Sequence, residues 1–354
     1  MPKLPEEIVV DILSRLPVKT LMRFKCVCKP WLSLISSPHF AKIKLKQARA
    51  AAPHINTRLF LASRPLQSID YEAFSDGGGG DHDVSQEHAY PVTKAPEWDV
   101  QILGSCDGLI CLVFDYNHVI LWNPSTRVSI ELPPPDIPDL QDTFFCGFGY
   151  DISIHDYKLI MGVSFVATED AKVQVLTLKD TCWRKIQPVD HSVDNIYKMG
   201  TLSNNALHWL GSQEFNSSII SFDLSGERFE ELGIPDHLAK EHCVVNLGTM
   251  GESLVIFCDP GRTHFESWVM IEYGVKSSWT RLFTVSGDTF PRYKYGPTLI
   301  CFTKQGKVVL YIDESEWILY SPEEETFMEF VIKDDWGQFE SVVYEESLVS
   351  PNGQ

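Results

Sequence analysis

The chain has 354 residues, enough for one large or two ordinary domains, and 44% of them are hydrophobic, which is typical of globular proteins. No run approaches the roughly 18 consecutive apolar residues of a membrane-spanning helix, and the acidic residues in the opening MPKLPEE are unlike a signal peptide. We therefore expect a cytoplasmic or nuclear protein that binds no membrane. The formal net charge of −18 disfavours a nucleic-acid partner, because phosphates would be repelled.

Charge is distributed unevenly along the chain. Residues 1–50 contain ten Lys and Arg against three Asp and Glu, a net charge of +7. The other 20 basic and 45 acidic residues lie in 51–354, whose net charge is −25. This asymmetry predicts two modules with different partners: a basic head (residues 1–50) and an acidic body (residues 51–354).

Prolines divide the head into three predicted helices. Pro5 suits the first helical position, and Pro17 ends this helix. A second helix is predicted over 18–27, and a third starts at Pro30 and ends at Pro38. The first helix carries an apolar stripe at helical spacing, formed by Ile8, Val9, Ile12, Leu13 and Leu16. Three short helices make a marginal core, so the stripe either packs on the body or is completed by a partner.

The head resembles the F-box over residues 4 to about 45, in the stretches LPEEIVVDIL and LPVKTLMRFKCVCKPW. F-boxes are three-helix modules that dock on a Skp-type adaptor in a cullin–RING ubiquitin ligase, so the resemblance implies this adaptor and, through it, a cullin and a RING protein. The basic head suits electrostatic attraction to the acidic adaptors of that family. The positions that would form or support the adaptor interface are Leu4, Pro5, Ile8, Ile12, Leu13, Leu16, Pro17, Leu21, Val27, Cys28 and Trp31.

The body repeats a strand–turn–strand pattern, in which short β-branched and aromatic runs are broken by turn residues. The five copies end at Leu132, Ile186, Leu232, Leu282 and Phe330, at intervals of 46 to 54 residues. Three residues before these ends stand Ser129, Trp183, Phe229, Trp279 and Phe327. A second apolar strand recurs between the copies, as in CDGLICLV and GESLVIFC.

Two hairpin-like units per roughly 50 residues are typical of a propeller blade. We therefore predict a mostly β protein with an N-terminal α module: a three-helix F-box followed by a β-propeller-like domain of five to seven blades. An irregular β-sandwich is the alternative. EESLVS near the end predicts either another copy or the strand that closes the ring with an N-terminal one.

These patterns predict three regions. The F-box helical domain spans 1–46, and the propeller-like domain spans 98–350. Residues 47–97 are predicted to be a linker with a partly ordered strand and a flexible acidic loop around the glycines at 77–80.

The body also resembles a family, from about residue 100 to 330. GSCDGLICL, LWNPSTR and GFGYDISIHDYKLI are similar to the associated domain that follows the F-box in many plant F-box proteins. That domain is generally taken to bind the protein to be ubiquitinated, so the resemblance implies an unidentified protein substrate.

Sequence patterns for catalysis and metal binding are absent: the chain contains no GxSxG, HExxH, GxxxxGK[ST], GxGxxG or CxxC. His208 alternates within a strand and is interpreted as structural, while Asn123 and Asp223 recur at equivalent hairpin positions and predict Asx-turns. We predict no catalytic site, cofactor or metal, and a role as the substrate-recognition subunit of an SCF-type ubiquitin ligase. An adaptor-binding scaffold without a role in degradation and a propeller enzyme are the alternatives.

Overall fold

A computed structural model describes most of the chain. The described residues are 4–51, 57–75, 85–93, 96–97, 100–115, 117–136, 144–163, 172–180, 182–186, 198–213, 216–239, 243–260, 264–287, 297–312, 316–330 and 340–352. The predicted glycine-rich loop at 77–80 lies outside them. No helix among the described residues is long and apolar enough to cross a membrane.

The head contains four helices. They are α1 (Glu6–Ser14), α2 (Val18–Phe24), α3 (Lys29–Ile35) and α4 (Pro38–Ala51). The three predicted helices are present, but Pro38 also begins a fourth one, because proline suits the first position of a helix as well as the end of the preceding one. The hydroxyl of Ser37 accepts a hydrogen bond from the N–H of Phe40 at 3.2 Å and so caps α4.

Six sheets form the body, and neighbouring sheets contact each other mainly through their first strands, which are therefore the inner ones. Blade 1 contains β25 (Ser341–Glu345), β1 (Thr57–Leu61), β2 (Leu66–Ile69) and β3 (Ser85–His88). Blade 2 contains β4 (Gln101–Cys106), β5 (Leu109–Phe114), β6 (His118–Asn123) and β7 (Val128–Leu132). Blade 3 contains β8 (Phe144–Asp151), β9 (Asp156–Val163), β10 (Lys172–Thr177) and β11 (Arg184–Ile186), with β12 (Lys198–Met199) parallel to β8.

Three further blades complete the ring. Blade 4 contains β13 (Thr201–Ser203), β14 (Ala206–Gln213), β15 (Asn216–Asp223) and β16 (Arg228–Leu232). Blade 5 contains β17 (Val244–Met250), β18 (Ser253–Cys258), β19 (His264–Met270) and β20 (Trp279–Ser286). Blade 6 contains β21 (Pro297–Phe302), β22 (Val308–Ile312), β23 (Glu316–Ser321) and β24 (Thr326–Phe330). Short helices α5 (Glu72–Ser75) and α6 (Asp236–Ala239) and a 3₁₀ turn at Lys276–Ser278 lie between strands.

The body is thus a six-bladed β-propeller, which confirms the predicted fold and rejects the sandwich. Blade 1 closes the ring, because β25 pairs antiparallel with β1 from Thr57↔Glu345 to Leu61↔Ser341. A C-terminal strand therefore pairs with an N-terminal one, as the second interpretation of EESLVS predicted, but that strand ends at Glu345, the first residue of the segment, and residues 346–350 are not part of it. Strands β1–β3 belong to this blade, so the propeller includes residues that the sequence analysis assigned to the 47–97 linker. Closure through a shared blade leaves no open sheet edge between the first and last units.

The recurring position three residues before each repeat end has a structural role. In three blades its side chain donates a hydrogen bond to a backbone carbonyl of the preceding unit. The bonds run from Ser129 Oγ to Pro91 O (3.4 Å), Trp183 Nε1 to Pro133 O (2.8 Å) and Trp279 Nε1 to Gly233 O (2.9 Å). The apolar cores lie between neighbouring sheets, so these bonds and the cores act at the same seams.

Blades 3 and 4 are also joined by buried charges. The ammonium of Lys158, which is almost fully buried, lies 2.7 Å from Asp151 and 2.8 Å from Glu227. It also donates to the carbonyl of Leu224 at 2.6 Å, and Arg184 makes a two-bond contact with the Glu227 carboxylate. Burial acts to raise the pKa of Asp151, but hydrogen bonds from Lys158, Ser153 and Ser225 outweigh it and lower that pKa to about 2.

The predicted Asx-turns are present at both positions. The Asn123 side-chain oxygen accepts from the N–H groups of Ser125 and Thr126. The Asp223 carboxylate accepts from those of Ser225 and Gly226. His208 is buried, with Nδ1 3.1 Å from Thr201 O and Nε2 2.9 Å from the Tyr273 hydroxyl. Both of its nitrogens are satisfied, which supports a structural role.

Candidate functional site

The head has a small core of its own. Its buried apolar residues are Leu13, Val18, Leu21, Ile35, Phe40, Ala41 and Leu348. The rings of Phe24 and Trp31 lie 5.2 Å apart at its edge. Leu348 comes from the other end of the chain, so the head core is completed by a residue that follows the closing strand of the propeller.

Apolar side chains that this core leaves uncovered form the candidate interface. We call them the head surface: Leu4 (63% exposed), Ile8 (46%), Ile12 (48%), Val27 (61%) and Leu32 (47%). Ile8 and Ile12 lie one turn apart on α1 and therefore share a face of that helix. Large apolar residues clustered on a surface mark protein interaction sites more often than isolated ones do. The exposed basic residues of the same helices and their connections are Arg15, Lys19, Arg23, Lys29, Lys42 and Lys46.

The structure divides the predicted adaptor residues into three groups. The exposed ones are Leu4, Pro5, Ile8, Ile12, Pro17, Val27 and Cys28. Leu16 and Trp31 are half-buried, whereas Leu13 and Leu21 are buried and can only support the interface from within. The sequence analysis did not include Leu32 among the interface residues, although the structure leaves it exposed. Leu32 follows Cys28, the residue before α3, by four positions, and this helical spacing could have placed both on one face.

The head is attached to the propeller by residues 346–351, which we call the closing segment. Leu348 belongs to the head core, while the next residue, Val349, belongs to the core between blades 2 and 3. Leu45 of α4 packs against that second core from the head side. Consecutive residues of one short segment therefore enter both cores, which couples the two modules.

Both sequence motifs of blade 2 hold the closing segment. From LWNPSTR, the Asn123 amide donates to Ser347 O (3.2 Å), Ser347 Oγ (3.2 Å) and Val349 O (2.7 Å). From GSCDGLICL, Gly108 has φ of +79°, and a Cβ at this position would overlap Ser347 and the carbonyl of Glu345. These motifs therefore position the closing segment in addition to forming turns.

Charged groups line the same junction. Lys44 on α4 is buried; burial lowers its pKa, while the nearby Glu345 and Glu346 act to raise it. Glu346 also lies 3.7 Å from Arg58 on β1. Burial raises the pKa of Glu346, and Arg58 opposes this effect. Polar contacts thus accompany the apolar ones between head and body.

Within the described part of the chain, no group of three or more His, Cys, Asp and Glu side chains is placed to hold a metal ion. All nine cysteines are free thiols; Cys26, Cys28 and Cys182 are exposed and the other six are buried. Burial raises the pKa of Cys111 and Cys301 well above the ordinary range, so both remain protonated at neutral pH.

Known families match both modules. The F-box domain model matches residues 1–43, and the model of the F-box associated beta propeller domain matches residues 73–351. The F-box protein CPR1 of Arabidopsis thaliana is 29% identical over 99% of this chain and 89% of its own length. An F-box/kelch-repeat protein of the same plant is 30% identical over 99% of this chain and 96% of its own.

Among solved structures, TolB from Acinetobacter baumannii aligns with 85% of this chain and 72% of its own, at 10% identity and a TM-score of 0.49. The two family models and the Arabidopsis relatives, by contrast, account for head and body together. The chain belongs to the F-box proteins that carry an F-box associated β-propeller domain.

Proposed function

We propose that this protein is the substrate-recognition subunit of an SCF-type cullin–RING ubiquitin ligase. The head surface would bind a Skp-type adaptor and, through it, a cullin and a RING protein, while the propeller would bind the protein to be ubiquitinated. The observation that carries the proposal is an exposed apolar surface on a basic module that is joined to a separate acidic propeller. Such a chain makes no covalent bond itself; it raises the effective concentration of the target near a ubiquitin-loaded enzyme.

The attachment of the head supports this role. Because the closing segment enters both cores, a target bound to the propeller would be held at a defined position relative to the adaptor. A flexible linker would instead spread the target over many positions and lower its effective concentration at the reactive centre. A cytoplasmic or nuclear location is the one we propose, in line with such a ligase.

The adaptor step is tested by co-purification with a Skp-type adaptor. Ile12→Asp places a charge in the head surface, and we expect at least a tenfold loss of affinity, or about 1.4 kcal/mol or more. Ile152→Asp is the matched control, because Ile152 is equally apolar, 64% exposed and located in the turn between β8 and β9 of blade 3. Failure of the unmodified chain to bind, or equal binding by Ile12→Asp, would show that the head surface is not an adaptor site.

Binding and degradation of a target protein are tested in cells. Proximity labelling under proteasome inhibition, with the unmodified chain and the Ile12→Asp variant, should label the same targets. Only the unmodified chain should lower their abundance when the proteasome is active. Labelled partners whose abundance never depends on Ile12 would instead indicate an adaptor-binding scaffold without a role in degradation.

A further inference from the structure

A cavity of about 210 Å³ lies at the outer seam between blades 1 and 2. The end of β3 and the residues after it form one wall, and the β6–β7 hairpin forms the other. The lining side chains used below are Glu87, His88, Tyr90, Pro91, Trp122 and Arg127. The volume suits one side chain of a bound protein rather than a folded segment.

His88 is the buried polar residue in the lining of this cavity. It is 7% exposed, and its ring meets Trp122 edge-on at 5.4 Å. Its Nε2 lies 2.7 Å from Ser68 Oγ, which lies 2.9 Å from the Tyr344 hydroxyl. Among the described residues Ser68 is the only partner of the buried Tyr344 hydroxyl, and Ser68 Oγ has no partner besides Tyr344 and His88. The arrangement that uses both hydroxyl protons therefore has Tyr344 donating to Ser68 and Ser68 donating to Nε2. The proton of the neutral ring then resides on Nδ1, for which the described residues offer no acceptor.

The charged groups that shift the pKa of His88 are basic, although the body is strongly acidic. Burial, the largest cause, acts together with the nearby Arg58 and Arg127 to lower the pKa of His88 to about 4, so the ring is neutral at pH 7. Burial raises the pKa of Tyr90, and the one charge opposing it is Arg64. The ionic groups acting on these two rings are therefore all arginines.

Arg127 is available to a ligand. Its side chain is exposed and makes no ion pair or side-chain hydrogen bond within the described part of the chain. Its backbone is held in the left-handed region (φ +61°) by a 2.8 Å hydrogen bond to Asn123 O. Glu87 is the one carboxylate in the lining, and it forms no ion pair with Arg127. Its negative charge would repel a bound anion, so a variant that lacks this charge should bind the anion more tightly.

We propose that this cavity binds a compact oxyanion, the carboxylate or phosphate group of a side chain on a bound protein. Arg127 supplies the charge, the Nδ1–H of His88 supplies a directional donor, and Trp122 with Pro91 forms an apolar wall for the stem of the side chain. That the anion belongs to a target rests on the proposed function. The anion site itself rests only on the cavity.

The test uses three capped amino acids as probes of the full chain: N-acetyl N-methylamide derivatives of glutamate, phosphoserine and glutamine. Binding is followed by the indole N–H resonance of Trp122, assigned with Trp122→Phe. We expect saturable shifts with the two anionic probes and none with the glutamine probe. The tighter of the two anions indicates whether the natural ligand is a carboxylate or a phosphate.

Two variants that each remove one charge from the cavity lining, one positive and one negative, should have opposite effects on anion binding. Arg127→Gln should weaken anion binding at least tenfold, while Glu87→Gln should strengthen it several-fold. Arg23→Gln on the head removes the same charge elsewhere and should change nothing. Unchanged thermal unfolding of Arg127→Gln shows that its loss is local. Equal binding of the glutamine probe, wild-type binding by Arg127→Gln, or weaker binding by Glu87→Gln would each overturn the proposal.

The two proposals fail separately. If the unmodified chain does not bind the adaptor, the proposed function is overturned, while the Trp122 titration still tests the anion site. Absence of any anion-dependent shift in a chain that still binds the adaptor would overturn the anion site alone.

Discussion

Leu348 and Val349 are adjacent in sequence but belong to different cores, so truncating each should affect a different module. Leu348→Ala removes contacts from the core of the head, and Val349→Ala removes contacts from the core between blades 2 and 3. We expect Leu348→Ala to loosen α1–α4 and Val349→Ala to loosen β4–β9. The closing segment itself should be loosened by both.

The magnitude for Leu348 follows from its burial. Truncation of a fully buried Leu to Ala costs about 2.7–5 kcal/mol, and the small remaining exposure of Leu348 places it near the lower end, at about 3 kcal/mol. That cost corresponds to roughly a 150-fold increase in the opening equilibrium of the head. Because so few residues form this core, the loss is a large share of its stability.

Hydrogen exchange of backbone amides measures both effects in one experiment. Protection should fall by about two orders of magnitude over α1–α4 in Leu348→Ala, with the propeller strands little changed. Val349→Ala should show the reverse distribution. The same pattern of exchange in both variants, or no change in the head on truncating Leu348, would refute the interpretation that the closing segment links two separate cores.

Two further predictions concern buried titratable groups. Lys158→Met leaves the fully buried Asp151 beside Glu227 without its cation, so we expect urea denaturation to show a loss of about 3–5 kcal/mol. Lys185→Met, whose ammonium is 73% exposed, should cost less than about 1 kcal/mol, and equal losses would contradict a buried cluster. Burial lowers the pKa of His208 to about 4, against a hydrogen bond to Thr201 that acts to raise it, whereas the unfolded value is about 6.5. The unfolded chain therefore binds a proton first as the pH falls, and stability should drop by about 3 kcal/mol between pH 7 and 4, a component that His208→Gln should lack.

Local patterns predicted the helices of the head well, because prolines act on the residues next to them. Pro5 and Pro17 each precede the first residue of a helix, as their fixed φ favours. The side of the stripe that faces the core was not predictable. Leu13 and Leu21 are buried while Ile8 and Ile12 are exposed, and this division depends on α4 and Leu348, which pack from elsewhere in the chain.

In the body, blade 1 likewise could not be predicted from local sequence patterns. Its strands come from both ends of the propeller sequence, so no continuous repeat of about 50 residues marks it. Its outer strand β3, SQEH, is polar and mostly exposed, and the apolar alternation that identified other strands is missing there. The anion cavity was equally hidden, since His88 and Arg127 meet across a seam between two blades.

The sequence by itself determined the class of this protein. Turn residues, apolar periodicity and the F-box and associated-domain motifs are properties of short segments, and short segments are sufficient to specify helices, hairpins and a repeating blade. Tertiary structure alone decided that there are six blades, which head residues remain exposed, and that the closing segment joins the two cores. Those features depend on contacts between residues far apart in the chain, which form only when the ring closes and Leu348 and Val349 enter their separate cores.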